Sequence, residues 1–281
     1  MIDFLAAIIT WINVPVNALG KLLLAPVGVL PGWLSNTIIS AVAGIVLLAI
    51  FKYTSNQQAI GRVRDDIKAN MLALKLFKDS IKVTLQSEGR VFRGAGLLLL
   101  HSIRPMLVMI IPVSLLLSQM GLWYRFRPLL RGEETLITMK LNDNITSPWP
   151  NINIEPLSAF GVMTGPVRLV VKQEICWKIR ARENGYHRIV FQVDERRIEK
   201  ELAIGNSFMR LSAKRPGWHW ADILWHPAEK PFGPDSVVQS ISIDYPGRSS
   251  QFFGIPLWLI YFFIASLVFA LLFKPFLKVR I

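Results

Sequence analysis

Three stretches of the chain are almost wholly apolar: residues 34–53, 96–123 and 251–273. As a helix, the first of them measures about 30 Å, the thickness of a bilayer's hydrocarbon core. Ser35 or Asn36 supplies its helix start, and Trp33 and Tyr53 mark its two interfaces. The second, clearest from Leu97 to Trp123, holds Pro105 and Pro112 and is expected to kink there. The third, clearest from Phe253 to Phe273, carries Trp258 and Tyr261 near one edge and Lys274 at the other. These patterns predict three transmembrane helices. Residues 1–33 are apolar too, but Pro15, Pro26 and Pro31 interrupt them, and they lack a signal peptide's basic start. They are expected to form an amphipathic segment lying flat on the outer interface, with a fourth span as the alternative.

Between the first two spans, apolar residues recur at steps of three and four: Ile60, Val63, Ile67, Met71, Leu74, Phe77, Ile81, Leu85. That spacing predicts a helical segment within 54–95, with a hairpin break near Lys78-Asp79-Ser80. Residues 124–250 read differently. Thr135–Leu141, Val167–Gln173, Ile175–Arg182, Arg188–Val193, Arg197–Ile204 and Val237–Tyr245 alternate as strands. The Asn-Gly of Glu183-Asn184-Gly185 predicts a tight hairpin between two of them. Trp177 is the candidate core residue of an all-β, sandwich-like domain, immunoglobulin-like in type. The expected fold class is therefore membrane α-helical, three spans plus a cytoplasmic helical segment, with an extracytoplasmic β-domain.

Charge sets the expected orientation. Lys52 to Arg93 holds nine Lys/Arg against four acids, and Lys274, Lys278 and Arg280 cluster in the tail, 274–281. Basic residues beside apolar spans mark the cytoplasmic side. The loop and tail are thus expected inside, and the N-terminus and β-domain outside. The same location argues that the formal charge of +13 serves membrane lipids and not nucleic acid. A bacterial inner membrane is the expected site.

Candidate chemistry is sparse. Arg104 lies about 10 Å inside the second span if the helix enters at Leu97, where a cation costs about 2.5–3.5 kcal/mol. If the membrane instead begins at Pro105, Arg104 snorkels to the headgroups. His101, Ser114, Ser118 and Gln119 could line a partly wet groove with it; singly, such residues make interhelical hydrogen bonds. Arg62, Lys68, Lys75, Lys78 and Lys82 lie largely off the apolar stripe of the loop. They either fix topology or form a docking surface for a cytoplasmic partner. Cys176 is the single cysteine and reads as a buried strand residue. His187, His219 and His226 match no metal spacing, and no catalytic motif stands out, so neither an enzyme nor a cofactor is expected.

The order of elements (amphipathic lead-in, span, basic cytoplasmic helix, span, span) resembles the YidC/Oxa/Alb superfamily of membrane insertases. The likeness is greatest over residues 31–131 and closest to the three-span members typified by the insertase-like subunit of the endoplasmic reticulum membrane complex. Tyr124-Arg125-Phe126-Arg127-Pro128-Leu129-Leu130 adds to it. The resemblance implies an insertase whose positively charged groove admits polar parts of nascent membrane proteins. Arg104 would be its cation, His101, Ser114, Ser118 and Gln119 would help it, and 57–92 would receive clients. Two departures stand out: the family commonly places its arginine in the first core span, and the β-domain has no counterpart in the minimal form. A different class competes, a non-catalytic subunit of a membrane complex whose β-domain binds an extracytoplasmic protein.

Overall fold

In the computed structural model, residues 2–25, 27–77, 80–142, 149–248 and 250–279 are described. The chain opens with helix α1 (Ile2–Leu24), followed by a 3-10 turn at Val27–Val29 and helix α2 (Gly32–Thr54). Then come α3 (Gln57–Leu76) and α4 (Ile81–Tyr124). Asn56 caps α3, its side chain accepting from the Ala59 amide at 3.0 Å. Helix α6 (Leu257–Leu277) closes the fold.

Four of these helices, α1, α2, α4 and α6, are long and apolar enough to cross a membrane. The expected count of three leaves out α1. Its interior Pro15 does not break it, because proline removes one backbone bond that a helix can forgo where the rest of its ladder holds. The second span and the basic segment before it are also not separate elements. Helix α4 runs unbroken for 44 residues, about 66 Å, and only its later part is apolar.

The chain divides into two compact units, Met1–Ser35 with Ser114–Leu259, and Asn36–Val113 with Ile260–Ile281. In the second, α3 folds back on the start of α4. A Cβ built on Gly94 would fall 2.5 Å from the Ile67 side chain, so the missing side chain lets the two helices close up. The turn falls between Leu76 and Ile81, at the predicted break; Lys78 and Asp79 lie outside the described residues. Within the same unit α2 meets α6 at Gly44, whose Cβ would sit 2.3 Å from the Ser266 carbonyl oxygen. Small residues at such a crossing permit the close backbone approach that membrane helices use.

The first unit holds the β-domain. Its strands are β1 (Glu134–Leu141), β2 (Ile152–Ile154), β3 (Phe160–Leu169), β4 (Glu174–Ala181), β5 (Gly185–Val193), β6 (Arg196–Ile204), β7 (Lys214–Arg215) and β8 (Val238–Ile243). A five-stranded sheet, β3-β4-β1-β8-β7, faces a three-stranded sheet, β2-β5-β6. Trp177 of β4 and Phe191 of β5, centroids 5.4 Å apart, lock the two faces together. They lie in one continuous apolar cluster that includes Ile137, Ile179, Ile189, Leu202 and Ile241. The sandwich-like prediction and its Trp177 core are borne out, and Cys176 is buried in β4.

Two strand predictions need correction. Glu183-Asn184-Gly185 does not turn a hairpin: β4 pairs with β1 and β3 while β5 pairs with β2 and β6, so this segment crosses between sheets. The tight hairpin lies instead between β5 and β6, where Val193 faces Arg196 and Asp194 takes a positive φ of 50°. Asn-Gly favours left-handed backbone, which a crossing can use as readily as a turn. The strand expected at 167–173 begins earlier, at Phe160, and gives way at Val170–Lys172 to a 3-10 turn.

Candidate functional site

Arg104 lies in the second unit, on α4, and its side chain is exposed. So are its neighbours Ile103, Met106, Leu107 and Val108. Among the described residues Arg104 has no ion pair and no hydrogen bond. His101, one turn before it, is half-buried, and the Ser102 hydroxyl donates to the Leu98 carbonyl at 2.9 Å. Elsewhere in this unit, Ser40 and Asn36 are buried in α2, the serine hydroxyl donating to the Asn36 carbonyl at 2.7 Å.

The α3–α4 hairpin presents cations and apolar groups together. Arg62, Lys68, Lys75 and Lys82 are all exposed; Lys78 lies outside the described residues. The apolar stripe begins buried at Ile60 but opens toward the turn, where Phe77 is 55% and Ile81 78% exposed. Met71, Leu72, Leu76 and Leu85 are exposed around them.

The other groove candidates belong to the first unit. Ser114 is half-buried, whereas Ser118 and Gln119 are buried. Ser118 donates to its own helix, at the Leu115 carbonyl, 2.8 Å away. Helix α1 covers Gln119: its Nε2 donates to Asn17 Oδ1 at 2.8 Å, and Gly20 provides room for its carbonyl end. A polar seam continues from there. Asn13 Nδ2 donates to the Ile223 carbonyl at 3.0 Å, Asn17 Nδ2 to the Pro227 carbonyl, and an Arg210 guanidinium nitrogen to Asn17 Oδ1 at 3.2 Å. The seam binds the middle of α1 to the short helix α5 (Trp220–Trp225) and the segment after it. Sequence reasoning missed these residues, although Asn13 and Asn17, four apart in an apolar helix, are its visible signal.

In the Trp-rich stretch, Asp222 takes hydrogen bonds from Lys214 Nζ at 2.9 Å and meets His226 Nδ1 at 3.1 Å. Burial would raise the Asp222 pKa, but the bonds from His226 and Lys214 outweigh it and hold the carboxyl at about 2. His219 is exposed beside Trp220, and His187 bonds to the Glu183 carbonyl. Among the described residues no three His, Cys, Asp or Glu side chains gather as a metal site. Lys200, in phase with Leu202 and Ile204 on the inward face of β6, is wholly enclosed, with Nζ 2.6 Å from Glu229 and 3.1 Å from the Ser212 hydroxyl. Burial pushes its pKa down, and Glu229 opposes that.

Compared with models of known families, with curated proteins and with solved structures, the chain has no match.

Proposed function

We propose that this protein is a membrane insertase or membrane-protein chaperone, in which Arg104 and the exposed hairpin act on segments of other membrane proteins. The observation that carries this reading is an exposed Arg104, without a partner among the described residues, amid exposed apolar side chains on α4. An intramembrane cation without a protein partner draws in water or a polar group from outside the chain. A nascent segment whose polar residues must pass the hydrocarbon offers such groups. The hairpin supports the same reading, because its apolar turn ringed by lysines suits a greasy segment arriving from an aqueous phase. In this proposal the hairpin and tail are cytoplasmic and the β-domain faces outward, in a bacterial inner membrane. Helix α1 lies on the outer interface, since its middle is bonded to the β-domain through Asn13 and Asn17.

The test is site-specific crosslinking from Ile103 and Leu107 during synthesis of short-tailed membrane proteins, combined with Arg104→Leu in depleted cells. Adducts at both positions and an insertion defect in the variant are expected. If Arg104→Leu inserts clients normally while deletion of 132–247 abolishes function, the insertase reading fails. A second reading, a non-catalytic subunit that binds an extracytoplasmic protein through its β-domain, draws on one observation. Edge strand β3 and the turn after it expose Val162, Met163, Val167, Val170 and Val171. Partner capture by the β-domain with no change at Arg104 would favour it.

A further inference from the structure

A pocket of about 470 Å³ lies within the first unit, lined by Lys21 of α1, Trp123 of α4, Tyr186 and Arg188 of β5, Glu201 of β6, and Arg210. That size suits a small-molecule ligand. Its walls carry cationic and hydroxyl side chains, and two enclosed N–H groups lie in the same residues. Arg210 is only 9% exposed, yet its Nε has no partner; one terminal nitrogen alone is engaged, by Asn17. Trp123, 7% exposed, likewise keeps a buried indole N–H without an acceptor. The Tyr186 hydroxyl accepts from the Arg210 amide at 3.0 Å, which leaves its own hydrogen to donate.

Arg210 brings to the hollow a guanidinium bonded through one terminal nitrogen, and Tyr186 a hydroxyl with a hydrogen to give, an arrangement that suits an acceptor. The charge points the same way. Lys21, Arg188 and Arg210 face Glu201, and Arg188 also bonds Glu199 at 3.0 Å, so the positive excess is one to two charges. Guanidinium groups with an ammonium and a hydroxyl match the several oxygens of a phosphate better than the two of a carboxylate. Trp123 sits at the end of α4 and Lys21 in the last turn of α1, the positions where apolar helices meet headgroups.

We propose that this pocket binds a phosphate group, supplied by the headgroup of an anionic phospholipid. It is independent of Arg104 and of the insertase reading. The lipid's acyl chains would leave along the exposed apolar side of α1, where Leu19, Leu22 and Leu23 are exposed.

The test uses the full chain in detergent micelles, with native mass spectrometry and thermal unfolding, offered phosphatidylglycerol or inorganic phosphate. Retained phosphatidylglycerol and a raised Tm are expected. Lys21→Gln with Arg188→Gln, both exposed side chains whose loss should leave the fold intact, should cut lipid retention about tenfold for each charge contact worth about 1.4 kcal/mol. Equal stabilisation by inorganic phosphate, with the same variant sensitivity, would support the phosphate site and assign it to a soluble ester. Lipid and phosphate effects that survive all these substitutions unchanged would overturn the proposal.

Discussion

Two cations, Lys200 in the core of the β-domain and Arg104 among the exposed apolar side chains of α4, are answered in opposite ways. Lys200 is enclosed in the β-domain, but every hydrogen on its ammonium has an acceptor: Glu229, the Ser212 carbonyl and hydroxyl, and the Glu201 carbonyl at 3.3 Å. Arg104 stands exposed among aliphatic side chains of α4, and the described chain gives it nothing. A folded domain answers a buried charge from within. A charge left unanswered in an apolar helix has its counterpart in solvent, lipid or a client.

The strongest way to break this contrast is to take away Lys200's answer. Glu229→Gln should destabilise the protein by about 3–5 kcal/mol, because it strands a desolvated ammonium. The double replacement Lys200→Met with Glu229→Leu should be close to neutral, since two apolar groups need no pairing. Denaturant unfolding of the full chain, followed by tryptophan fluorescence, measures both. If the single variant is as stable as the parent, Lys200 is answered by something other than Glu229.

Arg104 should behave with the opposite sign. Placing the 97–123 segment in a host protein and scoring membrane insertion should show Arg104→Leu favouring insertion by about 2.5–3.5 kcal/mol on the translocon scale. If the insertase proposal holds, the gain in insertion should accompany a loss of activity toward clients. A change near zero would mean that Arg104 lies at the headgroups and is not immersed.

Much of this arrangement was legible in the chain. Long apolar runs and the period-two strands β1, β4, β5, β6 and β8 depend on local patterning, and so did the break between α3 and α4. Features set by distant partners were not. Alternation puts Lys200 in phase with Leu202 and Ile204 on the inward face of Arg196–Ile204, but the partners that make an enclosed lysine tolerable, Glu229 and Ser212, are supplied from elsewhere in the chain. Gln119 read as a groove residue because α1, which covers it, is 102 residues away in sequence. The Asn-Gly segment was misread for the same reason: which sheet a strand joins is decided by long-range packing and not by its turn.

Asp222 is a milder case of the Lys200 solution. Its folded pKa of about 2 lies below the ordinary 3.8, so the stability it contributes is complete above about pH 4. That contribution is lost as pH falls from about 4 toward 2. Partly open to solvent, it should amount to roughly 1–2 kcal/mol. Asp222→Asn should lower stability by that amount above about pH 5 and leave it unchanged near pH 2, which flattens the acid limb; an unchanged acid limb would place the shift on another carboxylate.

A comparable effect lies in the shell around Lys200. The Ser212 hydroxyl is 3.1 Å from Nζ and also donates to Glu229, so it bridges the two charges. Ser212→Ala removes the bridge but leaves the ammonium its carboxylate and two carbonyls. The cost should therefore be that of one hydrogen bond with a charged partner, about 1.5–3 kcal/mol at most and nearer 1 if water enters the gap. In Lys200→Met/Glu229→Leu the same Ser212→Ala should cost nothing or help, because the hydroxyl has lost both partners. Equal costs in the two backgrounds would show that Ser212 acts on the backbone around it and not on the charge, and the contrast between a self-answered Lys200 and an unanswered Arg104 would then rest on Glu229 alone.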